Sequence, residues 1–151
     1  MKRRINVTNS IHLAADKIEI RPIAIPRQRI LVVEDDAYVR EMYSDVLASA
    51  GYQVDSAKDG EAGWQMLRAN NAKPKYDLLI TDNKMPKVSG FELIQRLRSE
   101  KLNIPVILAS GTLPDIRDLP VAAILEKPFL PNQLMEMVAG VLNANENAGQ
   151  I

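Results

Sequence analysis

The sequence predicts an α/β domain built around a parallel sheet, and three observations carry that reading. From Arg29 onward, five short apolar runs alternate with segments of helical periodicity, the pattern of strands and helices taking turns around a parallel sheet. The 151 residues, 46% hydrophobic and 25% charged, suffice for one domain with a real core and leave no room for a second of any size. The unusual polar residues fall just after the apolar runs, where ligands of open parallel sheets bind.

Ile30 to Val33 is the first predicted strand. The stripe Val39, Met42, Tyr43, Val46, Leu47 and Ala50 follows at three- and four-residue steps and predicts a helix with that face inward. Asp36 is placed to cap its start and Gly51 to end it in a left-handed turn. Gln53 to Ala57 is the second strand, and a second helix is expected over Glu61 to Ala69, with Trp64 partly buried in it. Leu78 to Thr81 is the third strand, followed by a helix from about Gly90 to Glu100 with Phe91, Ile94 and Leu97 facing inward. Val106 to Ala109 and Ala122 to Leu125 complete the sheet. The connection between them, GTLPDIRDLP, holds Pro114 and Pro120 and leaves space for little more than one helical turn, so the fourth helix is expected to be shortened. The fifth helix begins near Asn132 and turns Leu134, Met137, Val138, Val141 and Leu142 inward.

Residues 29–143 therefore form the predicted domain, residues 144–151 a polar tail that frays, and residues 1–28 a basic arm or linker. Within that arm IEIRPIAI is strand-like in composition, but Pro22 and Pro26 exclude a central strand and predict an extended arm or an added edge strand. Residues 1 to 29 hold seven Lys or Arg against two acids, a balance of +5, whereas the remainder holds twelve against seventeen, −5. Such an arm can touch nucleic acid or an acidic partner, but a solvated segment is the plainer reading, and no direct nucleic-acid binding is expected. The absence of cysteine excludes disulfides, thiolate metal sites and a cysteine nucleophile, and suits a reducing cytoplasm. No apolar run approaches the roughly 20 residues that span a bilayer, and the MKRR start is not followed by the apolar core of a signal peptide. A soluble, cytoplasmic protein is expected.

The first strand ends in Glu34-Asp35-Asp36, the third in Asp82, the fourth in Ser110 and the fifth in Lys127. Carboxylates gathered at one rim repel each other by several kcal/mol at intermediate dielectric, so the arrangement calls for a cation. Mg²⁺ fits, because it takes one or two carboxylates while keeping waters and phosphate oxygens. Beside a metal and a lysine, Asp82 is placed to attack a phosphoryl group whose oxygens both cations neutralise. Taken alone, Asp82 reads equally as a turn-forming carboxylate before KMP, Ser110 as a turn cap beside Gly111, and Lys127 as a surface lysine before proline. Asp36 is assigned to the helix cap, and Asp35 is not. His12, with no helical stripe around it, is read as solvated.

With ILVVEDD at 30–36, DLLITDNKMPKVSG at 77–90, IPVILASGT at 104–112 and ILEKPF at 124–129, the chain resembles the receiver domains of bacterial two-component response regulators. The resemblance implies the flavodoxin-like, doubly wound, five-stranded parallel sheet of order 2-1-3-4-5 with helices on both faces. It implies Asp82 as phosphoacceptor, Glu34, Asp35, Asp82 and the backbone carbonyl of Lys84 as Mg²⁺ ligands, and Lys127 and Ser110 as the groups that engage the phosphoryl oxygens. Pro128 suggests a cis peptide. The implied partner is a histidine kinase or a histidine phosphotransfer protein, and the implied chemistry is phosphoacceptance with slow self-dephosphorylation rather than enzymatic turnover.

Departures from the family pattern bear on output. The segment from Ser110 to Lys127 is short, which argues against the usual dimer through the fourth helix and leaves the oligomeric state open. Ile124 stands where many members carry an aromatic switch residue, so no ring can follow Ser110. No effector domain follows the fifth helix in this sequence, which suits a stand-alone receiver or one cut from a hybrid kinase. The alternative is a receiver fold acting as a phosphorylation-independent interaction module. An aspartyl phosphatase would need a second acid where Lys84 stands, and an ATPase would need a G-x-x-x-x-G-K-[ST] loop.

Overall fold

The computed structural model describes residues 9–14, 17–22, 28–69, 75–112 and 119–149. After two short strands, β1 (Asn9–Ala14) and β2 (Lys17–Pro22), the chain alternates through β3 (Arg29–Val33), α1 (Ala37–Ser49), β4 (Gln53–Ala57), α2 (Gly60–Arg68), β5 (Leu78–Asp82) and α3 (Gly90–Ser99). It continues through β6 (Val106–Ser110) and β7 (Ala123–Glu126) into α4 (Pro131–Ala148). Strands β3 to β7 form one parallel sheet in the order β4-β3-β5-β6-β7, which is the predicted 2-1-3-4-5 topology.

Alternation along the central strands explains why they read as unbroken apolar runs. Successive side chains of a strand point to opposite faces, so Leu31, Val33, Leu79 and Leu108 meet α2 and α3 through Trp64, Leu67, Leu93, Ile94 and Leu97. Ile30, Val32, Leu78, Ile80 and Ile107 meet α1 and α4 through Tyr43, Leu47, Leu134, Val138 and Leu142. Both faces of these central strands are covered, and Thr81, Asp82 and Ser110 fall at their carboxyl ends.

Local chemistry sets the helix ends. The Asp36 carboxylate accepts the amides of Tyr38 and Val39 at 2.9 and 3.0 Å, and Gly51 takes φ 97° just past α1, as the sequence predicts. Asp59 caps α2 through the Ala62 amide at 2.8 Å, and Ser89 with Glu92 forms a reciprocal capping box on α3. Gly63 lets α2 lie tight on the sheet, because a Cβ there would sit 2.7 Å from Val33 Cγ2.

Some expectations need correction. Met42 and Ala50 lie on the exposed side of α1, and its buried residues are Tyr43 and Leu47. The inward face of α3 is Leu93, Ile94 and Leu97, with Phe91 only half-buried. The tail predicted to fray from residue 144 is helical to Ala148; its Ala and Glu residues favour the helix, and Glu146 Oε1 accepts the Gln28 side-chain amide at 2.8 Å. IEIRPI does not extend the main sheet: β2 pairs antiparallel with β1 in a separate two-stranded sheet. Most of the segment expected to hold the shortened fourth helix, residues 113–118, lies outside the described residues, as do residues 1–8, 15–16 and 23–27 of the arm.

Candidate functional site

Parallel register brings the predicted polar residues to one rim. Val33 pairs with Thr81, Asp82 with Ala109, and Ser110 with Glu126. The next residues in the chain, Glu34 and Lys127, therefore emerge beside Asp82. Side-chain oxygens of Glu34, Asp35 and Asp82 all lie within 4.8 Å of one another. Lys127 Nζ donates to Glu34 Oε2 at 3.0 Å and lies 3.5 Å from Asp82 Oδ1. The peptide bond between Lys127 and Pro128 is cis.

Burial grades these groups. Glu34 is only 2% exposed, Asp82 is half-buried and Asp35 is open to solvent. Desolvation pushes the Glu34 carboxyl above its ordinary range, and the hydrogen bonds it accepts from Lys127 Nζ and from the Asp36 amide pull it only partway back. Burial alone would lower the Lys127 ammonium, but the hydrogen bond to Glu34 and the neighbouring Tyr43, Glu34 and Asp82 outweigh it and hold the amine charged. Tyr43, buried beside Lys127, has its phenol pushed up to about 12, chiefly by desolvation.

Asp82 is held from below. The Asn83 amide donates to Asp82 Oδ1 at 2.9 Å, and the Gly90 amide donates to the Asn83 carbonyl at 3.0 Å. A Cβ on Gly90 would run into the Asp82 carbonyl and lie 2.9 Å from Asn83 Cα. The glycine is thus required by close backbone approach. Lys84 follows two residues after Asp82 in the loop before α3, with its side chain exposed. In the same loop Lys87 takes φ 68° and reaches Asp59 Oδ2 at 3.5 Å.

Ser110 is buried at the end of β6, and its backbone carbonyl accepts the Lys127 amide at 2.9 Å. Its hydroxyl, however, donates to the Thr112 carbonyl at 2.6 Å and makes no hydrogen bond to the acidic cluster. Ile124 sits mid-strand in β7 opposite Leu108, half-buried against the α2–α3 side of the core. His12 falls in β1, where its backbone pairs with Glu19 of β2.

Two contributors escaped the sequence reading. The guanidinium of Arg40, on α1, donates to the backbone carbonyls of Glu34 at 2.7 Å and Asp35 at 3.4 Å, pinning the acidic pair. Its position just inside a helix that follows the acids was the available signal. Tyr43 was read as core only, but its ring packs on Phe129 at 5.2 Å between centroids. Together with Val39, Met42, Lys127 and Pro128 it lines a groove of about 350 Å³ beside the rim. Tyr38, Leu130 and Met42, exposed by 80, 64 and 37%, are large apolar side chains left open on the same elements.

Three carboxylates, with Asp35 open to solvent, could hold a hard divalent cation through oxygen ligands. Among the described residues no helix is long and apolar enough to cross a membrane.

A family model described as the response regulator receiver domain matches residues 30–139. The alkaline phosphatase synthesis transcriptional regulatory protein SphR of Synechococcus elongatus is 32% identical over 85% of this chain and 54% of its own length. The 3',5'-cyclic-nucleotide phosphodiesterase regA of Dictyostelium discoideum is 40% identical over 59% of this chain and 11% of its own. This chain therefore spans about half or less of those curated relatives. Among solved structures, the receiver domain of the hybrid histidine kinase CckA superposes with a TM-score of 0.65 at 34% identity, covering 76% of this chain and 98% of that one.

Proposed function

Since the chain belongs to the response regulator receiver domain family of two-component signalling, we propose that it accepts a phosphoryl group on Asp82 from a histidine kinase or a histidine phosphotransfer protein. The P–N bond of the donor phosphohistidine breaks, a P–O bond to the Asp82 carboxylate forms, and the donor imidazole leaves with the electron pair. The observation that carries this reading is the convergence of Lys127 Nζ on Glu34 at 3.0 Å and Asp82 at 3.5 Å, with Asp35 alongside.

Mg²⁺ is the ion that would suit this donor set, and Glu34, Asp35, Asp82 and the backbone carbonyl of Lys84 would hold it. When bound, it would supply positive charge to the phosphoryl oxygens and offset the repulsion among the carboxylates. The residues of the chain do the rest. The Asn83 amide fixes the rotation of the Asp82 carboxylate, leaving Oδ2 as the oxygen free to attack. Lys127 turns part of its charge from Glu34 to the new phosphate. Ser110 exchanges the Thr112 carbonyl for a phosphoryl oxygen, a bond available only in the modified state. Ile124, with no ring to rotate, follows through packing. The exposed Tyr38, Met42 and Leu130 beside the rim offer the donor an apolar footing. The acyl phosphate is lost slowly to water, so the chain is a phosphoacceptor rather than a turnover enzyme, and the cytoplasm is its working compartment.

Incubation with acetyl phosphate and Mg²⁺ followed by intact-mass spectrometry tests the proposal. One added phosphoryl group is expected on the wild type and none on Asp82→Asn. An unmodified wild type, or equal labelling of the variant, would overturn it. A constitutive interaction module is favoured only by the ringless Ile124 and the Ser110 hydroxyl turned away. Equal partner affinity with and without beryllofluoride would establish it instead.

A further inference from the structure

A lysine ammonium carries three N–H donors on a flexible four-carbon stem. Two acceptors of the Lys127 amine are the carboxylates of Glu34 at 3.0 Å and Asp82 at 3.5 Å. The side chain is only 27% exposed, so water has limited access to the third donor. Something in the protein must also choose, among the rotamers of the stem, the one that aims the amine at Asp82.

The neighbours leave one group for that task. Of the side chains that line the groove beside Lys127, those of Val39, Met42, Pro128 and Phe129 carry no hydroxyl, amide or charge, and Tyr43 alone brings a hydroxyl. Phenol and ammonium act on each other. Burial raises the phenol, and the Lys127 charge is the first of the groups that oppose it. Burial lowers the ammonium, and after the bond to Glu34 the Tyr43 oxygen is the next group that holds it charged.

Tyr43 is itself fixed. It is 3% exposed on the inward side of α1 and belongs to the core layer of Leu47, Leu134 and Val138. Its ring meets that of Phe129 at 5.2 Å and 31°, and Phe129 stands two residues from Lys127 in the same segment. A tyrosine has only two side-chain torsions, so a ring held in this way leaves its hydroxyl little choice of direction. Packing alone does not call for that oxygen, because phenylalanine would fill the same space.

We propose that Tyr43 is a positioning residue of phosphoryl transfer: its hydroxyl oxygen takes the third direction of the Lys127 ammonium and keeps the amine turned toward Asp82. The assignment rests on Asp82 being the phosphoacceptor. Tyr43 touches neither metal nor phosphoryl group and acts through Lys127. As the phosphoryl group arrives, the amine exchanges part of its hold on the carboxylates for a phosphoryl oxygen while its contact with Tyr43 persists. It pivots about a fixed point instead of swinging into the groove.

Tyr43→Phe in the full chain keeps the ring and removes the oxygen. Labelling by acetyl phosphate and Mg²⁺, followed by intact mass, should slow by about three- to tenfold in its maximal rate, the effect of one partly solvated hydrogen bond. The urea midpoint and the Mg²⁺ affinity, read from the amide signals of Asp82 and Asn83, should match the wild type. The ε-methylene signal of Lys127 should move toward that of a free lysine, which a packing role would not produce. Tyr43→Leu, which removes the ring pair as well, should label as slowly as Tyr43→Phe and also unfold at lower urea. A wild-type rate in Tyr43→Phe, an unmoved Lys127 signal, or slowing seen only in Tyr43→Leu together with its lost stability would overturn the assignment and leave Asp82 in its role. A wild type that takes no phosphoryl group would overturn both.

Discussion

Replacing Tyr76 by phenylalanine removes one hydroxyl from a charge cluster at the end of the sheet away from Asp82. Tyr76 is buried and donates to Asp55 Oδ2 at 2.7 Å, the oxygen that also faces Arg29 Nε at 3.5 Å and Lys75 Nζ at 3.4 Å. A hydrogen bond to a charged acceptor contributes about 1.5–3 kcal/mol. The Asp55 side chain is 28% exposed, so water compensates part of the loss and about 1.5–2 kcal/mol is expected at neutral pH. Burial would raise the Asp55 carboxyl, but the Tyr76 hydroxyl, Arg29 and Lys75 outweigh it and hold the group below its ordinary value of 3.8. Its contribution is therefore present above about pH 4 and lost as pH falls through the lowered pKa. Desolvation first, then the bond to Asp55 and its charge, push the Tyr76 phenol above its ordinary 10.0. That contribution is whole below about pH 10 and drains away as pH rises beyond it. The stability difference between wild type and Tyr76→Phe should thus form a plateau that shrinks on both flanks. Urea unfolding followed by Trp64 fluorescence and far-ultraviolet circular dichroism, at about pH 3, 7 and 10.5, reads it out. A difference that stays constant across the three would refute the reasoning, and a change in acetyl phosphate labelling would show that the two ends of the sheet are not independent.

Three further substitutions probe the rim. Gly90→Ala drives a methyl group into the Asp82 carbonyl, so it should cost about 1–3 kcal/mol in urea unfolding and slow labelling of Asp82; a full-rate, full-stability variant would show that the loop yields freely. Lys87→Gly relieves a left-handed residue at φ 68° and should gain about 1 kcal/mol, less the loss of the solvent-facing Lys87 charge beside the buried Asp59 carboxylate, read as a net rise in melting temperature. Ser110→Ala should still accept the phosphoryl group but lose most of the amide shifts that beryllofluoride induces around Thr112; unchanged shifts would remove Ser110 from the switch.

The sheet was legible because strands covered on both faces must be apolar at consecutive positions, and Leu78–Ile80 and Val106–Ala109 can be little else. The rim was legible because charged residues at the ends of such runs have few structural uses. Helix faces were less so: with a 3.6-residue period, Leu93 and Phe91 compete for the interior of α3, and only the position of the sheet decides for Leu93. Composition misled at residues 144–148, where polar helix formers look like a frayed end until Gln28 is seen to reach Glu146. Arg40 was hidden for a different reason. Its partners are carbonyl oxygens, which every residue carries and no sequence displays.

The contact between Lys127 and Glu34 spans 93 positions of the chain. As the polypeptide leaves the ribosome, the acids and Asp82 are made long before the amine that balances them, and until β7 docks the buried glutamate has no counter-ion. The cluster is therefore complete only once the last strand is in place: a chain that stops short of Lys127 holds its carboxylates without the amine that balances them.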